Sequence, residues 1–277
     1  MAVSVLANAA QTFAANRARG HVALSVATAR GVTRRRHVGE AGSLRVRFPG
    51  PAAVDLEAVI VNTAGGIAGG DQLALDITVG ATAHLAVTTA AAEKVYRSLG
   101  PAAAVNLTLT VEANGTLAWL PQETILFDHA RLRRTVEVDL AKNATLVLAE
   151  ALLFGRAAMG EAVEQGSVFD RWRVRRDGKL IFAETTRLED EIAGQLRQPA
   201  VAAGGAALAT LLLAPGDEAH VAAVRKISDA RGEVGASTWN GLAVVRFVAR
   251  DGAALRHDLT AALTALGVPL PRLWLNS

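Results

Sequence analysis

At 277 residues the chain is long enough for one large domain or two ordinary ones, and a composition 51% hydrophobic but only 4% aromatic sets an aliphatic core. With no cysteine it can form no disulfide, no thiolate nucleophile and no zinc–thiolate site, which fits a cytoplasmic protein. A net charge of only +3 argues against a nucleic-acid partner; the arginine clusters Arg34–Arg36 and Arg171–Arg176 suit a basic face for protein partners better.

Residues 1–20 read as a flexible N-terminal tail. The start lacks a basic segment and is interrupted by Asn8 and Gln11, so it makes a poor signal peptide. Strand period follows. Leu44, Val46 and Phe48 alternate with Ser43, Arg45 and Arg47, and Pro49 to Pro51 forms a turn. The pattern resumes from Val54 to Val61 and from Leu73 to Val79. Val105, Leu107, Leu109 and Val111 give the next strand, and Asn114-Gly115 predicts a tight hairpin returning through Leu117 to Leu120. Val136, Val138 and Leu140 mark another. Trp172 and Val174 alternate with arginines, and Asp177-Gly178 turns into Leu180 to Leu188. No βαβ rhythm appears. The expectation is a mainly β fold over 21–277, a large antiparallel stacked-sheet domain, with a subdivision near residue 204 as the alternative. Two short C-terminal helices follow, one capped by Asp217 and running to Ala230, the other capped by Asp251 and running to Leu266. Leu255, Leu259, Leu263 and Leu266 line one face of the second, and Gly267 stops it. The longest apolar run, Ala200 to Ala214, is too short to span a membrane, so no membrane partner is expected. The high apolar content then implies apolar surface kept for partners.

The stretch Asn62 to Gln72 carries two glycine pairs, Gly65-Gly66 and Gly69-Gly70, ending on Asp71. A phosphate loop would continue into Lys and Ser or Thr and open a helix. Here Asp71-Gln72 leads into strand period, so this is a strand–loop–strand corner.

The six histidines include no two within four residues of each other, so there is no local pair to grip a transition metal. No Gly-x-Ser-x-Gly elbow is present. Carboxylates are more informative. Asp71 ends the glycine corner, Glu123 follows Pro121-Gln122, and Glu161 follows Met159-Gly160. Glu150 is in phase with Leu146, Leu148, Leu152 and Phe154; Glu184 is in phase with Leu180, Phe182, Thr186 and Leu188. A carboxylate in an apolar phase needs a partner. Either it forms an ion pair, with an arginine such as Arg156 or Arg187, or it lines a polar, water-bearing interior track. A carboxylate pair on an all-β fold also leaves open a hydrolase or isomerase.

Five segments, in order, resemble the urease accessory protein D family. They are the glycine corner; Thr88 to Ser98, with Tyr96 and Arg97; Leu120 to Asp128, with Gln122 and Glu123; Phe154 to Glu161, with Arg156; and Leu270 to Trp274. The resemblance implies a cytoplasmic scaffold for urease maturation with no turnover of its own. Its implied partners are UreF, UreG and apo-urease, with a dimer within the accessory complex as one arrangement; GTP hydrolysis belongs to UreG. It implies no tightly bound cofactor and transient passage of nickel. Asp71 and Glu184 are the expected carboxylates on that path, because isolated carboxylates hold nickel far less tightly than imidazole or thiolate.

Overall fold

The computed structural model describes residues 16–50, 55–156 and 159–275. The first fifteen residues of the expected tail, the Pro51 end of the turn, Val54, and Ala157 and Ala158 of the fourth family segment lie outside them. Arg19 already begins a strand.

Among the described residues, seven strands form a first sheet: β1 (Arg19–Ala29), β2 (Val32–Gly42), β5 (Gln72–Val79), β8 (Ala103–Val111), β11 (Arg131–Leu140), β13 (Gly166–Arg176) and β14 (Lys179–Asp190). Their spatial order is β14-β13-β11-β8-β5-β1-β2. Ten form a second: β3 (Leu44–Arg47), β4 (Asp55–Asn62), β6 (His84–Thr89), β7 (Glu93–Val95), β9 (Thr116–Trp119), β10 (Thr124–Leu126), β12 (Thr145–Phe154), β15 (Ala207–Ala214), β16 (Glu233–Trp239) and β17 (Leu242–Ala249). Eight run in the order β16-β17-β15-β12-β9-β6-β4-β3; β10 pairs with β12 and β7. The fold is mainly β with stacked sheets, 54% strand against 12% helix, far below the ordinary third for helix.

Strand direction differs from the antiparallel expectation. β1·β5, β5·β8, β8·β11 and β11·β13 are parallel, as are β4·β6, β6·β9 and β9·β12. Between β4 and β13 the chain passes back and forth between the sheets, so these parallel neighbours are separated along the chain by at least one strand of the opposite sheet and run the same way. Asn114-Gly115 is accordingly no hairpin. It turns β8 of the first sheet into β9 of the second, where β9 pairs with β6 and β12. Antiparallel pairing occurs at the ends of the first sheet, in β1·β2 and in β13·β14 around Asp177-Gly178, and in the second sheet at β3·β4 and along β12·β15·β17·β16.

After Gly204-Gly205 the chain adds β15, which pairs antiparallel with β12 in the second sheet. Three short helices accompany the strands: α1 (Ile192–Leu196), which the sequence pattern did not indicate, α2 (Glu218–Arg225) and α3 (Gly252–Ala265). Asp217 caps α2 by accepting from the Ala219 and His220 amides, while the His220 ring accepts from the Asp217 amide. This helix stops short of Ala230. The chain there is pulled toward α3, whose buried Asp258 accepts from the Arg231 and Gly232 amides, both at 2.8 Å. Asp251 caps α3 through the Ala254 amide. No helix among the described residues is long and apolar enough to cross a membrane.

The central strand β12 is buried on both faces. Leu146, Leu148, Leu152 and Phe154 join the core between the sheets. Val147, Ala149 and Ala151 join a second apolar layer, closed from outside by Val221 and Val224 of α2 and by Leu255, Leu259 and Leu263 of α3.

Candidate functional site

The glycine corner links β4 to β5 across the two sheets. Gly65, Gly66 and Gly70 all have positive φ. A Cβ on Gly66 would meet the Tyr96 ring at 2.5 Å, and one on Gly69 would meet the Ser98 Oγ at 1.9 Å. The glycines thus let the Tyr96 segment lie directly on the corner, and the Tyr96 hydroxyl donates to the Gly65 carbonyl at 2.8 Å. Asp71, 4% exposed, closes the corner from within. Its carboxylate accepts from the Ala68 amide at 2.7 Å and from the Ala18 amide at 2.8 Å.

Other family segments gather here because successive crossovers from the second sheet to the first leave at the same end. Tyr96 meets Phe127 edge-on at 5.1 Å; the Arg156 guanidinium lies 4.1 Å from the Phe127 ring centroid and pairs with Glu161 at 2.6 Å. Arg97 is exposed and bridges to Ala130. Leu99 and Met159, on two of these crossovers, are 86% and 72% exposed. Glu123 and Gln122 serve elsewhere, by gripping α3. Arg256 pairs with Glu123 at 2.8 Å, bonds Gln122 and stacks on Trp274, whose indole donates to the Leu120 carbonyl.

The charged site lies between the sheets. Arg134 points inward from β11, Glu150 from β12 and Asp170 from β13, all almost completely buried. Arg134 Nη2 donates to Asp170 at 2.5 Å and Nε at 3.1 Å; Nη1 is bonded to Glu150. The Trp119 indole donates to Glu150 at 2.8 Å, and the Trp172 indole to Asp170 at 3.0 Å. Burial pushes the Glu150 carboxyl above its ordinary pKa, although Arg134 pulls it down. Burial also works against the Arg134 charge, but Asp170 and Glu150 outweigh it and raise its pKa.

Two cavities adjoin this cluster, and both are lined by Arg134 and Glu150. The smaller, about 60 Å³, has room for a few waters beside Thr89, Glu93, Gln122 and Thr124. Burial raises the Glu93 pKa, against a hydrogen bond from the Asn62 amide group. The larger, about 450 Å³, is lined also by Asp170, Glu184, Thr186, Gln195 and Arg246. Arg246 on β17 grips Glu184 on β14 with two bonds, 2.7 and 2.6 Å, closing one side between the sheets.

The ion-pair expectation holds for both in-phase carboxylates, Glu150 and Glu184, and each also lines a cavity. Their arginines are Arg134 and Arg246. Glu184 is in phase with the buried Phe182 and Leu188, but a register shift opposite Val174 and Arg175 throws Leu180 out to 47% exposure. Asp71 lines neither cavity; its oxygens belong to the corner. Arg134, Asp170 and Glu93 were not singled out from sequence. Arg134 extends the inward phase of Val136 and Val138, and Asp170 that of Trp172 and Val174, so the test that found Glu150 applies to both. Among the described residues, no group of three or more His, Asp or Glu side chains is placed to hold a metal ion.

Fold and site define a two-sheet β protein whose strands wind around a buried ionised cluster flanked by two partly open cavities. A family model described as UreD urease accessory protein matches residues 18–275. The chain is 57% identical over 266 residues to a urease accessory protein UreD of Rhodopseudomonas palustris strain HaA2, covering 95% of each chain. It is 54% identical over 278 residues to that of R. palustris strain ATCC BAA-98 / CGA009, covering 100% of both, and 53% identical over 274 residues to that of Bradyrhizobium diazoefficiens, covering 99% of each. The chain belongs to the UreD urease accessory protein family.

Proposed function

We propose that this protein serves urease maturation as a non-enzymatic scaffold in the cytoplasm. In this reading it binds accessory proteins of the UreF and UreG kind together with apo-urease, and lets nickel pass between its two sheets toward the enzyme. The observation that carries the nickel part is the pair of cavities meeting at Arg134, Glu150 and Asp170. With both carboxylates ionised, one guanidinium between them leaves that buried cluster with a net charge near −1, which lowers the cost of a cation inside protein. Leu99 and Met159 support the scaffold part as apolar tips beside the glycine corner.

Glu184 stands on the wall of the larger cavity, and its replacement by alanine is the direct test. Glu184→Ala is expected to assemble with the partners and apo-urease as the parent does, but to activate urease less at limiting nickel. Normal activation there would remove Glu184 from the path. Asp71→Ala is the companion experiment. A place on the path predicts the same selective loss, and a role confined to the corner predicts lower stability instead. Turnover of a substrate by the isolated chain would favour the hydrolase or isomerase reading.

A further inference from the structure

We propose that Arg134 is the group that keeps the interior carboxylates from trapping the ion that passes them. The inference rests on the nickel-passage reading above and adds a specific residue and role to it.

The geometry accounts for all four carboxylate oxygens of the cluster. Glu150 Oε1 accepts from Trp119 and Oε2 from Arg134; Asp170 Oδ1 accepts from Arg134 Nε and Trp172, and Oδ2 from Arg134 Nη2. Three of the four are held by Arg134, and two by Arg134 alone. A divalent cation needs carboxylate lone pairs turned toward it. Each of the four oxygens already accepts at least one hydrogen bond while the guanidinium stays, so an incoming ion must compete with a donor at every one, and the guanidinium cannot leave by losing its proton. Yet the cluster sits where the two cavities meet, and its net charge near −1 draws cations to it. Attraction by oxygens that are already engaged is what a passage requires: an ion is drawn in, meets only oxygens that other donors hold, and moves on.

The consequence is that a neutral side chain at position 134 turns passage into storage. Glu150 and Asp170 would then face one buried space with two oxygens lacking donors, beside the Thr124 hydroxyl, which Arg134 Nη1 approaches at 3.5 Å.

The test uses the purified full-length chain, with nickel chloride as the probe. Arg134→Met is expected to retain about one nickel ion per chain after equilibrium dialysis, at a free concentration at least roughly tenfold below that at which the parent does. The double variant Arg134→Met/Asp170→Asn, whose cluster regains the parent's net charge, is expected to lose that gain. If Arg134→Met folds poorly without metal, nickel should restore its cooperative melting and magnesium should not, because binding to the native state stabilises it. Arg134→Lys, a cation that cannot reproduce the forked contact, is expected to retain nickel to an intermediate degree. Parent-level retention in folded Arg134→Met overturns the proposal, as does a gain that survives Asp170→Asn. Parent-level retention in Arg134→Lys, together with an Arg134→Met that nickel does not rescue, overturns it too. The passage reading fails separately. If Arg134→Met traps nickel while both it and Glu184→Ala activate urease normally at limiting nickel, the lock is real but lies off the route.

Discussion

Two apolar layers flank the second sheet, and they are built to different rules. The outer layer, under α2 and α3, is almost entirely aliphatic; its buried acid, Asp258, is spent on two backbone amides. The inner layer, between the sheets, carries a buried arginine, two buried carboxylates and two cavities. Replacing a buried ion cluster by apolar side chains of similar volume is often neutral or stabilising. The inner charges are therefore poor stabilisers, and their presence beside a layer that does without them points to function.

Substitutions can break or sharpen that contrast. The largest effect is expected inside. Arg134→Met leaves two buried carboxylates unpaired and should cost about 3–5 kcal/mol in metal-free denaturant unfolding. Replacing all three charged members together should restore much of the loss, since the cost lies in the unpaired charge. In the outer layer Leu259→Ala should cost about 2–5 kcal/mol by the same measurement, as an ordinary core truncation with no gain in nickel retention. A value near zero would mean that α3 does not seal the sheet in the free protein. Asp71→Ala removes the acceptor of two amides at the corner and should cost about 1–3 kcal/mol.

The smallest effect concerns Glu93, beside the smaller cavity. Its carboxyl titrates above the ordinary range because burial disfavours the charge. A carboxyl with a raised folded-state pKa binds its proton more tightly in the folded chain than in the unfolded one. Its ionisation therefore removes stability as pH rises from the ordinary value through the raised one. Glu93→Gln keeps an acceptor for Asn62 and escapes that loss. The variant should melt slightly above the parent at neutral pH, with the gap closing as pH falls through the carboxylate range. A constant gap would place Glu93 in contact with bulk water.

The outer layer was legible in the sequence. Leu255, Leu259 and Leu263 fall one helical turn apart between a capping Asp251 and Gly267, and all three are buried, while Leu266, the fourth expected on that face, caps the helix half-buried. Strand positions up to Leu188 were largely legible too, but not their directions, and β15, β16 and β17 were not read as strands. A period of two residues is the same in parallel and antiparallel strands. Asn114-Gly115 marks a tight turn equally well when it leads into another sheet. Within the site, Glu150 was visible because leucines surround it in phase. Arg134 and Asp170 were hidden by reading β11 from Val136 and β13 from the arginine row around Trp172, one inward position too late in each case. Nothing local in the sequence joins Glu184 to Arg246, 62 residues apart; only the stacking of β14 over β17 does that.

The winding of the chain also has a consequence for synthesis. The first coils can form in order as they emerge from the ribosome, since β5 lies down beside β1, β6 beside β4, β8 beside β5, and β9 beside β6. The outer face of the second sheet must wait. Val147, Ala149, Leu211 and Val245 stay at least partly uncovered until Gly252–Ala265, which follows β17 in the chain, folds over them. Between the making of β12 and the folding of α3 the nascent protein thus shows an aliphatic surface that grows as β15 and β17 are added, a hazard for aggregation that chaperones exist to manage. A message truncated just before α3 would leave that surface permanently bare.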